Sequence, residues 1–294
     1  MIEDIRFYKR TSDANYKFSV LIPSWNNIEF LKLCINSIEK NSFFRIQIIV
    51  IVNDGSDGTT EWLTSSKEID FIHSKSNIGI CYGLNIGRSL VKSDYLVYVN
   101  DDMYVLPGWD LELSKEIEQI GHKNFTLSGT MIEPKYTNNP CVIVKDFGDS
   151  IQNFKEELLL IEYNTLATDD WNGGTWPPIL VPVELWDLVG GMSIEYSPGM
   201  YSDPDFSRKL FEAGVRLFKG KGNSLVYHFG TKSTNRIKKN NGKRTFLLKW
   251  GITPRTFTEK YLRRGKRFSG NVVLPELERK TRLINKIKQI LSCL

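Results

Sequence analysis

The sequence predicts an α/β fold: a mostly parallel, Rossmann-like sheet with helices on both faces. Short apolar runs typical of buried strands alternate with segments whose apolar residues recur at helical spacing. The connections between them are short, as in chains that build parallel sheets. Three predicted strands lead into polar loops, at residues 23–27, 53–58 and 100–102. In a parallel sheet these loops converge on one edge, so the sequence predicts a ligand-binding crevice there.

The predicted elements follow one another closely in the first half of the chain and less regularly in the second. A proline within the first turn after Asp203 is a strong signal for the start of a helix. The predicted strands are residues 18–22, 46–52, 71–73, 95–99, 125–132, 179–183, 215–218 and 224–226. The predicted helices include residues 30–38, 59–66, 77–87, 110–120, 184–189 and 206–213.

The 294 residues are enough for one large domain or two small ones, with an ordinary soluble composition of 41% hydrophobic and 25% charged residues. No apolar stretch approaches the roughly 20 residues that span a bilayer, and the N-terminus lacks a signal-peptide core. We expect a cytoplasmic protein, which could also lie at the inner face of a membrane. The four cysteines form no CxxC pair, so reduced thiols are expected and a zinc site is not.

The net charge of +5 conceals a division along the chain. Residues 231–294 carry 18 Lys and Arg against 3 Asp and Glu, whereas residues 1–230 carry 21 against 31. A basic C-terminal arm on an acidic body suggests contact with an anionic surface. The alternative is a helical appendix that packs on its own acidic body, and both interpretations stay open.

The strongest candidate site follows the strand at 95–99, where Asn100, Asp101 and Asp102 lie at its carboxyl end. Adjacent side chains at a strand end point to opposite sides, so the two carboxylates need not share a task. An acidic turn without function is the alternative. The chain has no GxGxxG and no GxxxxGK[ST] sequence, which removes the phosphate-binding devices of dinucleotide-binding and P-loop proteins.

Glycines recur at four-residue spacing in the segment from Asn77 to Gly87. On a helix, Gly79, Gly83 and Gly87 lie on one face, where small residues permit close approach to a sheet or a ligand. Packing is the favoured role of Gly83 and Gly87. For Asn77 and Gly79, at the start of the helix, a ligand role is equally open.

These pieces, in this order, resemble the nucleotide-sugar glycosyltransferases of family 2, which have the GT-A fold. The resemblance covers about residues 17–232. Asn100 departs from the Asp that usually begins the family's metal motif, and Ser202 stands where Glu is common. The matching features are Pro23-x-x-Asn26, the loop from Asn53 to Thr59, Asn77-x-Gly79, Asn85-x-Gly87, Asn100-Asp101-Asp102, Pro107-Gly108-Trp109, Gly190-Gly191, Asp203-x-Asp205, Arg208-x-Leu210 and His228.

The resemblance implies a metal ion and a general base. Asp102 matches the direct metal ligand and His228 completes the protein ligand set, with manganese favoured over magnesium because of the imidazole. Asp203 is the implied catalytic base, at a helix N-terminus whose dipole favours the ionised form. Its alternative role is a helix N-cap, and Asp205 could share either task. A half-buried histidine at a strand end is the alternative for His228.

The resemblance also implies the substrate sites. Asp54 would accept a hydrogen bond from the nucleotide base, uracil being the simplest fit, and turn chemistry is its alternative. Trp171 and Trp176 flank a Gly-Gly pair and could stack on acceptor sugars or serve as core aromatics. The implied donor-binding residues are Pro23, Ser24, Trp25, Asn26, Asp54, Asn77, Gly79, Asn100 and Asp101.

The implied activity is that of a metal-dependent, inverting glycosyltransferase. It would move a sugar from a nucleoside-diphosphate sugar, UDP-sugar favoured, to a hydroxyl of a glycan or glycoconjugate in surface polysaccharide synthesis. One alternative is a sugar-phosphate nucleotidyltransferase, but residues 23–26 lack its glycine-rich basic loop. Another is a non-catalytic nucleotide- or nucleic-acid-binding module. No nucleic-acid partner is expected, because the basic residues lie outside the crevice.

The predicted organisation assigns the C-terminal arm a separate role. Its last segment, 277–294, places apolar residues on one helical face, with lysines elsewhere, as in helices that rest on anionic membranes. Core packing, a dimer contact or nucleic-acid affinity are the alternatives. The apolar residues of that face are Leu283, Ile287, Ile290 and Leu294. The predicted units are a lead-in at 1–16, a GT-A domain at 17–232 with a nucleotide-binding half (17–105) and an acceptor half (106–232), and a basic helical extension at 233–294.

Overall fold

Strands and helices alternate along the chain, as the hydrophobic pattern predicts. The computed structural model describes residues 4–10, 15–198, 200–230 and 240–293. The strands are β1 (Ile5–Tyr8), β2 (Phe18–Trp25), β3 (Ile46–Asn53), β4 (Asp70–Ser74), β5 (Tyr95–Tyr98), β6 (Met103–Val105), β7 (Phe125–Glu133), β8 (Val142–Val144), β9 (Trp171–Asn172), β10 (Ile179–Pro182) and β11 (Leu217–His228). The helices are α1 (Ile28–Asn41), α2 (Thr59–Ser65), α3 (Gly79–Gly87), α4 (Trp109–Ile120), α5 (Glu156–Glu162), α6 (Val183–Leu188), α7 (Ser202–Glu212), α8 (Gly242–Trp250), α9 (Pro254–Thr256) and α10 (Arg279–Cys293), with a π-helical turn at Phe257–Tyr261.

One mixed sheet contains these eleven strands. Its main path runs β1-β4-β3-β2-β5-β10-β7-β11-β6, with β8 beside β7 and β9 beside β11. The strands from β4 to β5 along this path are parallel, which confirms the prediction for the first half. In the second half, β10 runs antiparallel to both of its neighbours. Residues that precede β10 therefore lie at the edge where β5 and β7 end.

Alternation along the central strands divides their side chains between two apolar layers. Leu21 and Ile51 pack on one face, in the cluster that includes residues of α3, α6 and α7. Val20 and Ile22 point to the other face, in the cluster that includes residues of α1 and α4. Helices thus cover both faces of the sheet, and the strand ends are left to form the functional edge.

Two glycines let α3 lie close to the sheet. A Cβ atom built on Gly87 would lie 2.8 Å from Leu21 Cδ2 and 3.1 Å from Ile51 Cδ1, and one on Gly83 would lie 3.0 Å from Ile51 Cγ2. Any larger residue at Gly87 would have to push the helix outward. Both glycines therefore have the packing role.

The strands that the sequence does not predict are short or lie at an edge. β6 has three residues and β9 two, which is too few to show alternation. β1 forms inside the predicted polar lead-in by pairing antiparallel with β4. The prediction of separate strands at 215–218 and 224–226 was wrong. They are one twelve-residue strand, β11, in which an irregularity between Lys221 and Leu225 lets pairing with β7 continue.

The described part of the C-terminal segment packs on α7. Phe246, Phe257 and Leu262 are buried in the same apolar cluster as Leu210 and Phe211 of α7. Residues 242–262 therefore fit the interpretation of an appendix that packs on its own body. The predicted boundary at residue 232 stays a prediction, since residues 231–239 lie outside the described part of the chain.

The last helix, α10, presents apolar side chains to solvent. Leu283, Ile287 and Ile290 are 57%, 46% and 55% exposed, while Leu294 of the predicted face lies outside the described residues. Asn285 is buried, and its Oδ1 accepts a hydrogen bond from the Thr253 N–H (3.2 Å). One face of α10 is thus docked on the protein and another is open. Within the described residues, no helix is long and apolar enough to cross a membrane.

A buried carboxylate joins α7 to α8. Asp205 has no exposed surface. Its Oδ1 accepts a hydrogen bond from the indole N–H of Trp250 (2.7 Å) and lies 3.0 Å from Nζ of Lys249. These partners occupy the carboxylate, so Asp205 has a structural role and not the shared catalytic one.

Replacing Asp205 with Ala should therefore destabilise the fold. The change leaves a partly buried indole N–H and a partly buried ammonium without their acceptor, which costs about 2–4 kcal/mol of the free energy of unfolding. Urea denaturation measures this loss. Asp187→Ala is the matched control, because it removes an exposed ion pair with Arg88 and should cost less than about 1 kcal/mol. Equal stability of the two variants would contradict the role of Asp205.

Candidate active site

The carboxyl ends of β2, β5 and β11 border a cleft of about 1100 Å³. This volume is slightly above the range of about 300–1,000 Å³ that is typical of small-molecule sites. The cleft lies at the edge that the polar loops predict. Of the predicted site residues, those that line it are Pro23, Asn100, Asp101, Asp102, Trp176, Asp203 and His228.

Asp102 and His228 are neighbours because β6 pairs antiparallel with β11. The register sets Met103 opposite His228, and the Phe229 N–H donates to the carbonyl oxygen of Asp102 (3.1 Å). The Nε2 atom of His228 lies 3.4 Å from Oδ1 of Asp102, and the two side chains are 18% and 6% exposed. Two residues far apart in sequence thus form one largely buried pair.

Glu133 holds the other side of the His228 ring. It ends β7, the parallel neighbour of β11, and its Oε1 lies 2.8 Å from Nδ1 of His228. Burial lowers the pKa of His228, but the carboxylates of Asp102 and Glu133 raise it by more, to about 10. Glu133 is missing from the predicted site, although it is a carboxylate at the carboxyl end of a predicted strand, the same signal that identifies Asp102.

The Asp102–His228 pair fits part of a divalent metal site. Two adjacent ligands bonded to one ion at about 2.1 Å lie about 3 Å apart, close to the 3.4 Å between these atoms. A hydrogen bond from the second ring nitrogen to a carboxylate, as with Glu133, is typical of metal-binding imidazoles. Over the described ranges, no group of three or more His, Cys, Asp or Glu side chains could hold a metal ion. An ion here would take further ligands from substrate or water.

Asp203 faces the cleft from the first turn of α7. The N-cap of this helix is Tyr201, with φ 69° and no capping side-chain bond, so Asp203 does not have the alternative role of N-cap. Burial raises the pKa of Asp203 to about 7. Desolvation therefore outweighs the helix dipole, which was expected to favour the ionised form. A carboxylate that titrates near neutral pH is suited to accept a proton.

Tyr98 links the two halves of the site, although the sequence does not single it out. Its hydroxyl donates a hydrogen bond to Oδ1 of Asn100 (2.7 Å). Burial raises the pKa of Tyr98 well above its usual range, and the nearby carboxylates of Asp203 and Asp102 raise it further. Both carboxylates therefore border the same buried hydroxyl.

Asp54 and Asn26 join the loops that follow β3 and β2. Nδ2 of Asn26 donates to Oδ2 of Asp54 (2.9 Å), and the Gly55 N–H donates to Oδ1 of Asn26 (2.9 Å). The hydrogen bond from Asn26 lowers the pKa of Asp54 below its usual value. These hydrogen bonds are the turn contacts that the sequence gives as the alternative role of Asp54. Its half-buried carboxylate stays ionised. Neither residue is among those that line the cleft.

The other predicted donor-site residues lie around these loops. Oδ1 of Asn77 accepts from the Gly79 N–H (2.8 Å), and a Cβ on Gly79 would lie 2.9 Å from Oγ of Ser197. The hydrogen bond within this turn and the close approach of Ser197 to Gly79 therefore explain Asn77 and Gly79 without a ligand. Ser24 is 3% exposed and Trp25 is half-buried. Donor roles for these four residues stay predictions.

The two candidate acceptor tryptophans have different environments. Trp171 is 6% exposed, its indole N–H donates to Oγ1 of Thr130 (2.8 Å), and its ring fills the space above Gly220. It has the core role, which corrects its assignment to an acceptor site. Trp176 is half-buried and lines the cleft. The guanidinium carbon of Arg264 lies 4.4 Å from its ring centroid.

Solved structures share this fold at low sequence identity. The crystal structure of S. aureus TarS 1–349 has a TM-score of 0.57 at 11% identity, covering 94% of this chain and 71% of the other. The crystal structure of GalNAc-T7 with UDP, GalNAc and Mn²⁺ has a TM-score of 0.55 at 14% identity, covering 83% of this chain and 46% of the other. These glycosyltransferases confirm the predicted GT-A fold.

Sequence comparison identifies the family. An uncharacterized glycosyltransferase of Haemophilus influenzae is 22% identical over 195 residues, 66% of this chain and 62% of the relative. A second one from the same organism is 29% identical over 120 residues, 39% of this chain and 36% of the relative. The chain thus spans less than two thirds of either relative. The Glycosyl transferase family 2 profile matches residues 19–167, half of the chain. The chain belongs to glycosyl transferase family 2.

Proposed function

We propose that this glycosyltransferase is metal-dependent and inverting, and that it moves a sugar from a UDP-sugar to a hydroxyl of a glycan or glycoconjugate. Surface polysaccharide synthesis is the proposed setting. The observation that carries the proposal is the meeting, in one cleft, of the Asp102–His228 pair with a separate carboxylate, Asp203, whose pKa is about 7. A single displacement with inversion needs one such base.

In the proposed reaction, each cleft residue has a separate task. A divalent ion held by Asp102 and His228 would neutralise the charge that develops on the leaving diphosphate. Glu133 orients the imidazole through its hydrogen bond. Asp203 takes the proton of the attacking hydroxyl, and its partial burial keeps water from competing for that proton. Asp54, ionised and hydrogen-bonded to Asn26, is available to a base N–H.

The choice of nucleotide and metal rests on the solved structures and on the ligand types. TarS 1–349, with a TM-score of 0.56, has a crystal structure in complex with UDP-GlcNAc, and the GalNAc-T7 structure holds UDP and Mn²⁺. An imidazole next to a carboxylate favours manganese over magnesium, which prefers oxygen ligands. We therefore propose UDP with manganese as the first pair to test.

UDP should bind to the purified protein in the presence of Mn²⁺, and Asp102→Ala should weaken that binding by at least about tenfold, because it removes a direct metal ligand. Calorimetric titration with and without Mn²⁺ measures both effects. Asp94→Ala is the control, since this exposed carboxylate pairs with Lys123 just before β5 begins, at its amino end. UDP binding that needs no metal, or that survives in Asp102→Ala, would contradict the proposed ion site.

Asp203→Asn should lower transfer by about 10²–10⁴-fold, because the amide cannot accept the proton. The variant should retain UDP–Mn²⁺ binding and be at least as stable at pH 8, since a raised pKa means that the folded state disfavours the charge it removes. For the parent protein, kcat/KM should fall as pH decreases below about 7. UDP release from the UDP-sugar that binds best measures the rate. Near-normal turnover of folded Asp203→Asn would exclude this base.

We also propose that α10 rests on an anionic membrane surface, where lipid-linked acceptors would be accessible. Its exposed apolar residues include Leu283, Ile287 and Ile290, and the helix carries basic residues without acidic ones. Apolar insertion and attraction to anionic headgroups favour the same orientation. The contact needs no spanning helix.

Replacing Leu283, Ile287 and Ile290 together with Ser should reduce co-sedimentation with anionic vesicles several-fold. These side chains are exposed, so the fold should be retained, and UDP–Mn²⁺ binding verifies it. Vesicles of phosphatidylcholine with phosphatidylglycerol provide the surface, and vesicles of phosphatidylcholine alone are the control. Equal sedimentation of the parent and the triple variant would reject membrane docking through this face.

A further inference from the structure

One cation on the wall of the cleft is fixed in place by the backbone around it. The N–H of Arg264 donates to the carbonyl oxygen of Thr258 (3.0 Å), and the N–H of Gly265 donates to that of Asn172 (3.0 Å). A Cβ on Gly173 would lie 2.9 Å from Cα of Arg264, so only glycine permits this approach. The C-terminal loop is thereby pinned beside β9, and Arg264 reaches the cleft.

The side chain of Arg264 packs on Trp176 but forms no ion pair with a carboxylate of the described residues. Its guanidinium lies over Trp176, with 4.4 Å between the guanidinium carbon and the ring centroid. Nε is buried without a hydrogen-bond partner. Across the described residues, no carboxylate lies within ion-pair distance of it, whereas nearby Arg255 has Glu259 at 2.7 Å. Burial lowers the pKa of Arg264, but a guanidinium stays charged at neutral pH. The Glu259 carboxylate acts on Arg264 only at longer range, where it raises the pKa against the effect of burial. A half-buried cation without a directly paired anion is costly unless a ligand supplies one.

The position of Arg264 points to the acceptor and not to the nucleoside. Trp176 lies just before β10, in the half of the sheet that contains β7 and β11. Asp54 lies just after β3, and β2 and β5 separate β3 from β10, a distance of about 14 Å at the usual strand spacing. Lys243, near the start of α8, lines the same cleft and has no ion pair within the described part of the chain. Among the described residues, the C-terminal segment thus supplies the cleft with two cations that have no direct ion pair, besides Arg255 with its partner Glu259.

We propose that Arg264, held by Trp176, binds an anionic group of the acceptor: a sugar carboxylate or a phosphate. This inference rests on the proposed transferase function and adds the substrate class. The guanidinium can donate two parallel hydrogen bonds to either group. Lys243 adds a longer-range positive charge. Arg264 would thereby select charged acceptors over neutral ones of the same shape.

Binding of matched acceptor probes tests the proposal in the presence of UDP and Mn²⁺. Methyl β-D-glucuronide is compared with methyl β-D-glucoside, and glycerol 3-phosphate with glycerol, by ligand-detected NMR titration. The parent protein should bind the anionic member of at least one pair about tenfold or more tightly than the neutral member, as expected for a charge-assisted hydrogen bond. The pair that shows the difference identifies carboxylate or phosphate.

Arg264→Gln should abolish that preference and leave UDP–Mn²⁺ binding unchanged, which also verifies the fold. Arg263→Gln is the matched control, because Arg263 is in the same loop but does not line the cleft, and it should retain the preference. Equal binding of charged and neutral probes by the parent protein would overturn the proposal. So would a loss of UDP–Mn²⁺ binding in an Arg264→Gln variant that keeps the circular dichroism spectrum and urea midpoint of the parent, which would assign the cation to the donor diphosphate. Failure of the parent protein to bind UDP would instead contradict the proposed function itself.

Discussion

The antiparallel pairing of β6 with β11 is the constraint on which the cleft depends. Three-residue β6 has little stability of its own, yet its register sets Asp102 beside His228. Parallel β7 on the other flank of β11 brings Glu133 to the second ring nitrogen. The imidazole is therefore fixed at both nitrogens by backbone pairing before any ligand arrives. Such fixed orientation is what allows a site to hold an ion without rearranging.

The same cleft keeps two kinds of carboxylate apart. Asp102 lies against His228 and raises the pKa of its imidazole, so an ion bound by this pair would displace the ring proton and supply the balancing charge in its place. Asp203 has no ion pair within the described residues, and burial alone raises its pKa to about 7. Environments that give two carboxylic acids different pKa values are typical of active sites in which one stays ionised and the other transfers a proton. The Tyr98 hydroxyl is buried close to both carboxylates, so Asp102 and Asp203 lie near each other in the cleft.

Local pattern explains which parts of this architecture the sequence predicts. The buried strands of the first half, the helix that begins near Asp203 and the convergence of the polar loops all follow from short-range periodicity and turn residues. Family membership supports the transferase over the nucleotidyltransferase and non-catalytic alternatives. Glu133 lies at the carboxyl end of a predicted strand, but its importance comes from His228 on a neighbouring strand. Tyr98 escapes prediction because the burial of its hydroxyl beside Asn100 depends on the packed fold. The sequence leaves both the acceptor and the core role of Trp171 open, because its local context cannot reveal that Gly220 leaves room for its ring.

The charge division of the chain has a structural meaning that composition alone does not give. Two carboxylates in the first turn of α7 have different environments. Asp205 is neutralised by Lys249 and hydrogen-bonded to Trp250, which fixes the C-terminal segment to the body. Asp203, two residues earlier, stays in the cleft. Once anchored there, the same segment carries Arg264 to the wall of the cleft beside Trp176. The basic arm therefore helps to build the cleft, and the prediction that its basic residues lie outside the crevice was wrong, since Lys243, Arg255 and Arg264 line it.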